Sequence, residues 1–206
     1  DAIIKEELKE VKQKFGDDRK TKIVNQELGK FSDEELIPDE KVVVTLTSAN
    51  YIKRSREVDY KRQGRGGKGK KGMKTRDEDI IEHVVLASTH DYILFFTNRG
   101  RVFRLKTYEI PSAGLNAKGV AIVNLLQLQP EEKISALIRV DKDNASGYLI
   151  MCTLRGVVKK TNYEHYNNVR NSGLIAINLD KDDELRWIRF SSGKDEVIIS
   201  TAFGQA

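Results

Sequence analysis

The feature that most constrains the fold of this chain is an internal repeat with a period near 50 residues. The run Tyr92-Ile-Leu-Phe-Phe-Thr-Asn-Arg-Gly-Arg-Val-Phe-Arg104 recurs as Tyr148-Leu-Ile-Met-Cys-Thr-Leu-Arg-Gly-Val-Val-Lys-Lys160. A third copy runs from Val43 to Arg54, with Asn50 where the others have glycine, and a fourth opens from Val197 to Gly204. The aligned threonines are Thr47, Thr97, Thr153 and Thr201, at intervals of 50, 56 and 48. A second element repeats with them: the stretch from Gly119 to Leu125 matches that from Gly173 to Leu179, 54 residues later.

Each copy is an apolar, β-branched run followed by Thr-x-x-Gly, the pattern of a strand entering a tight hairpin. Glycine at the fourth position supplies the positive φ such a turn needs, and asparagine is the next-best occupant. Strand-like runs cover 42–47, 84–87, 92–97, 102–106, 120–126, 134–140, 148–153, 157–160, 174–179, 185–190 and 196–201. No long helix interrupts them, so the expected class is all-β, about four strands to a unit. Such a unit cannot bury both faces alone, which predicts propeller-like stacking. Three units and one strand are too few to close a ring, and the chain opens at Asp1, so it is expected to be part of a longer protein. Trp187, between Leu185 and Ile188, is expected in the core. Ahead of residue 41 the period is helical: Ile4, Leu8, Val11 and Phe15 share one face of a helix over 1–15, and Ser32 to Glu35 has capping-box spacing before a turn at 34–37. Residues 1–40 therefore read as a helical tail and connector, and 41–206 as an incomplete ring.

Charge is the second constraint. The net charge of +5 is unevenly spread: residues 51–76 hold eleven Lys/Arg against Glu57 and Asp59, so this window carries +9 and the remainder −4. Such asymmetry points to a polyanion, with nucleic acid first. The single cysteine, Cys152, excludes an internal disulfide, and no apolar run is long enough to cross a bilayer.

At the centre of the basic window stand Gln63, Gly64, Arg65, Gly66, Gly67, Lys68 and Gly69. Glycines let backbone N–H groups approach phosphates, and Arg65 and Lys68 add charge there. The spacing Gly64-x-Gly66-x-x-Gly69 formally matches a dinucleotide fingerprint, but no apolar helix follows it. A nucleotide-binding loop would need Ser or Thr at Gly69. Ser88, His90 and Asp91 have the letters of a catalytic triad, but adjacent residues cannot supply its geometry. Asp77 to Asp79 and Asp180 to Glu184 read as exposed acidic turns before cation sites.

Residues 63–69 resemble the gyrase A box, the heptapeptide Gln-Arg-Arg-Gly-Gly-Lys-Gly that marks the C-terminal domains of DNA gyrase A subunits. Six of seven positions agree, and Gly64 departs by replacing an arginine. The flanks are similar too: Asn50 to Arg54, Thr89-His-Asp91, Arg99 to Val102, Ala117-Lys-Gly119 and Ile122 to Leu126. The segment from Phe15 to Arg19 resembles the exit from the last long helix of the breakage-reunion domain. The resemblance implies a β-pinwheel, a propeller-like ring with a basic rim around which double-stranded DNA bends, the box being required for wrapping with a positive crossing. It implies negative supercoiling driven by ATP hydrolysed in the B subunit, which also holds magnesium, within an A2B2 assembly in the bacterial cytoplasm. No cofactor, metal or catalytic residue is assigned to this stretch. The DNA-contacting candidates are the box itself with Lys53, Arg54, Arg56, Lys61, Arg62, Lys70, Lys71, Arg101, Arg104, Lys106, Lys118, Lys159 and Lys160. Two other readings compete: the equivalent domain of topoisomerase IV, which usually lacks an intact box, and a propeller-type protein scaffold, against which the +9 window stands.

Overall fold

The computed structural model describes residues 2–17, 33–60, 79–141 and 146–204. It contains two compact units, Asp1–Leu36 and Ile37–Ala206. In the first, α1 (Ala2–Phe15) forms where the helical stripe predicts it, with Ile4, Leu8, Val11 and Phe15 exposed. A single turn, α2 (Asp33–Leu36), starts one residue earlier than the spacing suggests.

The second unit is built from three antiparallel sheets. The first holds, in spatial order, β3 (Ile81–Ser88), β1 (Lys41–Thr47), β2 (Tyr51–Arg56) and β6 (Val120–Ala121). The second holds β7 (Ile134–Val140), β4 (Tyr92–Thr97), β5 (Arg101–Lys106) and β10 (Leu174–Ile175). The third holds β11 (Leu185–Ser191), β8 (Tyr148–Thr153) and β9 (Val158–Asn162). The central hairpins share one register: Val44 faces Arg54, Leu94 faces Arg104 and Ile150 faces Lys160. Strand β7 packs against both β3 and β11, joining the three sheets in order.

The fourth strand of a sheet is donated by the next repeat. After β5 the chain leaves the second sheet, adds β6 to the first, and returns as β7. After β9 it leaves the third sheet, adds β10 to the second, and returns as β11. The stretches expected as strands over 120–126 and 174–179 are therefore only two residues long as strands. Beyond them the chain turns inward because its apolar side chains have a core to enter: Ile122 and Leu126 are buried in one case, Ala176 and Ile177 in the other. Both elements dock on the preceding hairpin tip, where Asn50 O accepts from Ile122 N–H at 2.8 Å and Gly100 O from Ala176 N–H at 2.8 Å. The 196–201 run forms no strand, although Gly204 N–H still closes a turn on Thr201 O at 3.1 Å.

The hairpin turns follow the local code. Thr47, Thr97 and Thr153 accept at Oγ1 from the N–H four residues on, at 3.1, 3.2 and 3.0 Å. Their carbonyls accept from Asn50, Gly100 and Gly156, whose φ values are 61, 73 and 88°. Gly100 and Gly156 differ in surroundings. A Cβ on Gly100 would lie 2.4 Å from Ile177 O, whereas one on Gly156 would meet nothing within 4 Å. Gly156→Ala is therefore expected to cost only the left-handed penalty, about 1–2 kcal/mol, and Gly100→Ala clearly more, because the docked crossing segment must also move. Equal losses in urea unfolding would refute this account.

Apolar runs read as strands because both of their faces are covered. Ile93, Leu94, Phe95 and Phe96 of β4 have no exposed surface. Ile93 and Phe95 join Val44, Leu46, Ile52, Phe103 and Ile122 between the first two sheets. Leu94 and Phe96 join Leu149, Met151, Tyr163, Tyr166 and Ile188 between the second and third. Trp187 departs from expectation: it is 54% exposed while Leu185 and Ile188 are buried. A register slip between Leu185 and Trp187 breaks the alternation that would have turned the indole inward.

Candidate nucleic-acid interface

The box residues Gln63, Gly64, Arg65, Gly66, Gly67, Lys68 and Gly69, and with them Lys61, Arg62, Lys70 and Lys71, lie outside the described residues. The chain on either side is described. It reaches them through a 3-10 turn at Glu57–Asp59 and Tyr60, and resumes at Asp79.

The remaining candidate cations lie on β2, β5 and β9 and on a crossing segment, and several are held by protein carbonyls. Lys53 has no exposed surface. Its ammonium donates to Gly114 O at 2.9 Å and Leu115 O at 2.6 Å, the acceptors a buried cation requires, and burial pulls its pKa below the ordinary lysine value. Arg54 Nε donates to Ile110 O at 2.6 Å, and Ser55 Oγ to Ala113 O at 2.9 Å. Together these clamp the segment that carries β6 across to the first sheet. The equivalent Arg104 donates to Asn167 O on the segment that carries β10. Arg101 pairs with the buried Glu132 at 2.7 Å and donates to Ser172 O, while Lys159 donates to Ala176 O at 2.7 Å.

A second pattern seats cations on aromatic faces. Lys118 Nζ stands 3.6 Å from the Tyr51 ring centroid. Arg104 and Lys106 lie over Tyr92 at 3.4 and 3.9 Å, and Lys160 over Tyr148 at 4.3 Å. A ring face attracts a cation placed over it and helps to order it. Lys106, expected to face DNA, is instead buried, and its Nζ also donates to His90 O at 3.2 Å; the exposed Lys160 donates from Nζ to Gly193 O at 3.1 Å. Arg56 is exposed, 3.9 Å from Asp59.

Sequence reasoning missed a set of acids. Asp79, Glu132 and Asp183 are buried, each two residues before β3, β7 or β11. Asp79 Oδ1 accepts from Ala49 N–H at 2.9 Å and Ser48 Oγ at 3.1 Å. Glu132 accepts from Thr97 Oγ1 at 2.7 Å, and Asp183 from Arg155 N–H at 3.0 Å. Burial pushes the Asp79 carboxyl up, but the Ala49 N–H and the Thr47 and Ser48 hydroxyls outweigh it and hold it below the usual carboxylate value. Asp79 and Asp183 thus tie hairpins together, where the sequence suggested exposed acidic turns. Their recurrence at spacings of 53 and 51 residues, with Glu132 between, was the available signal. Among the described residues no cluster of potential ligands could hold a metal.

Known proteins share this architecture. A family model described as the DNA gyrase C-terminal domain, beta-propeller, matches residues 41–88, 91–141 and 147–192. The DNA gyrase A protein of Clostridium acetobutylicum is 50% identical over 205 residues, covering 100% of this chain and 25% of that protein. Its counterpart in Staphylococcus epidermidis is 43% identical over 201 residues, covering 97% of this chain and 22% of that one. The chain thus spans about a quarter of the length of these curated relatives. Among solved structures, a DNA topoisomerase IV C-terminal domain superposes with a TM-score of 0.64 at 29% identity, over 76% of this chain and 47% of that one. A DNA gyrase A C-terminal domain gives 0.61 at 29% identity, over 76% and 50%. With the family model matching three successive segments of the chain, and half of its aligned residues identical to those of a relative that covers all of it, the chain belongs to the DNA gyrase C-terminal domain family.

Proposed function

We propose that this chain binds double-stranded DNA and wraps it with a positive crossing, as the non-catalytic wrapping module of the gyrase A protein. The observation that carries the reading is the near-complete box at 63–69 inside a +9 window, in a chain of this family. Wrapping needs many phosphate contacts and little base readout, and glycine-spaced cations suit that demand. The proposed track combines the box, Lys61, Arg62, Lys70 and Lys71 with the exposed Arg56, Lys159 and Lys160 and the ring-seated Lys118 and Arg104; the buried Lys106 is left out of it. Lys53 and the clamping nitrogens of Arg54 and Arg101 hold the crossing segments beneath it. The proposed partners are a second copy of the gyrase A protein and two gyrase B subunits, which supply ATP hydrolysis and magnesium; the setting is the bacterial cytoplasm. No helix among the described residues is long and apolar enough to cross a membrane.

The test of DNA binding is its salt dependence. Each neutralised phosphate contributes about 0.9 to the log–log slope, so six to ten contacts predict a loss of about 10³–10⁵ in affinity between 50 and 200 mM salt. Fluorescence anisotropy with a duplex measures it. A flat response would overturn the electrostatic reading and favour a protein-interaction scaffold.

A further inference from the structure

We propose that Asp79 is a positioning residue for wrapping: its carboxylate fixes the point at which the box-bearing segment rejoins the β-domain. The proposal rests on the DNA-wrapping reading. Asp79, Glu132 and Asp183 occupy equivalent posts, each gripping the hairpin end of its own sheet. In the first and third sheets the grip is the same. The acid accepts from the N–H two residues beyond the turn threonine, Ala49 at 2.9 Å and Arg155 at 3.0 Å. In all three sheets the next carbonyl accepts from the residue after that threonine: Ile80 O from Ser48, Lys133 O from Asn98 and Glu184 O from Leu154, at 2.9, 2.9 and 2.8 Å.

The sequence that leads into each acid differs. Glu132 closes a turn on Gln129 O at 3.1 Å, and Asp183 one on Asp180 O at 3.2 Å. Each follows a residue already committed to positive φ, Glu131 at 64° and Asp182 at 62°. Asp79 directly follows the 61–78 stretch, which carries eight Lys/Arg. The other root of that stretch is Tyr60, whose N–H donates to Glu57 O at 2.9 Å. The register that pairs Val42 with Arg56 puts the two roots at opposite ends of the hairpin. They are separated by about one strand length, on the order of 20 Å. Affinity for DNA follows the number of cations, but the hand of a wrap follows the path on which they are carried. Releasing one root leaves the first intact and removes the second.

The experiment uses the natural full-length chain and relaxed nicked plasmid, sealed with ligase, the linking-number change being read per protein bound. Asp79→Ala is expected to lower that change at least fivefold while duplex Kd shifts less than twofold. Asp79→Glu is expected to restore most of it, since Glu132 holds its own hairpin end from the equivalent post through the hydroxyl of its turn threonine, Thr97. Asp183→Ala, which breaks the equivalent grip where no basic segment arrives, is expected to lower Tm comparably and keep the change. Asp79→Asn, close in shape, replaces the alanine variant if that does not fold. An unaltered linking-number change in the Asp79 variants, or a parallel loss in Asp183→Ala, would overturn the proposal. An unmodified protein that binds without any shift would remove the wrapping reading itself, which separates the two failures.

Discussion

Replacing Arg65 and Lys68 together with alanine is expected to abolish most of the linking-number change that the natural chain imposes on relaxed plasmid. Overall DNA binding is expected to persist. Two of the eleven cations in the 51–76 window are lost, so the salt slope should fall by about two if each grips one phosphate. The remaining charge still holds DNA against the domain. The lost pair stands between glycines in the sequence, and on the proposed reading its phosphate contacts set direction rather than attraction. Gly64 has already removed one arginine from the family's box, so Gly64→Arg should increase rather than decrease the shift. An unchanged shift in the double variant would refute the box assignment, whatever happened to Kd.

The largest expected stability effect is at β4. Phe96 has no exposed surface and meets Tyr166 edge-on, with ring centroids 6.0 Å apart at 79°. It fills the interface between the second and third sheets, where neighbours on β8, β11 and the crossing segment are fixed by their own hydrogen bonds. The site cannot collapse around a cavity, so Phe96→Ala should cost about 3–5 kcal/mol in urea unfolding. A loss below about 1 kcal/mol would mean that the sheets repack independently, contrary to the interlock seen in β6 and β10.

Local features of this fold were legible in the sequence because their causes are local. A turn needing positive φ selects Gly100, Gly156 and, less cheaply, Asn50, and all three adopt it. A strand covered on both faces must be apolar there, so the Ile93–Phe96 core of the 92–97 run announced itself. The basic window and its glycines are composition, and composition carries the electrostatic reading without any coordinates.

What only the tertiary structure decided involves partners more than 25 residues apart. The strand-like runs at 120–126 and 174–179 each yield a single pair of ladder residues, because the sheet they join belongs to the preceding repeat and the core beyond it draws Ile122 and Ile177 inward. Lys53 and Arg56 look alike in the sequence. One is sealed beneath a crossing segment by carbonyls 61 and 62 residues away, and the other faces solvent. Asp79 and Asp183 read as exposed acidic turns until the hairpin tips that they grip, 30 and 28 residues away, are folded against them. Side-chain chemistry settles which groups need a partner; only the path of the chain settles which partner arrives.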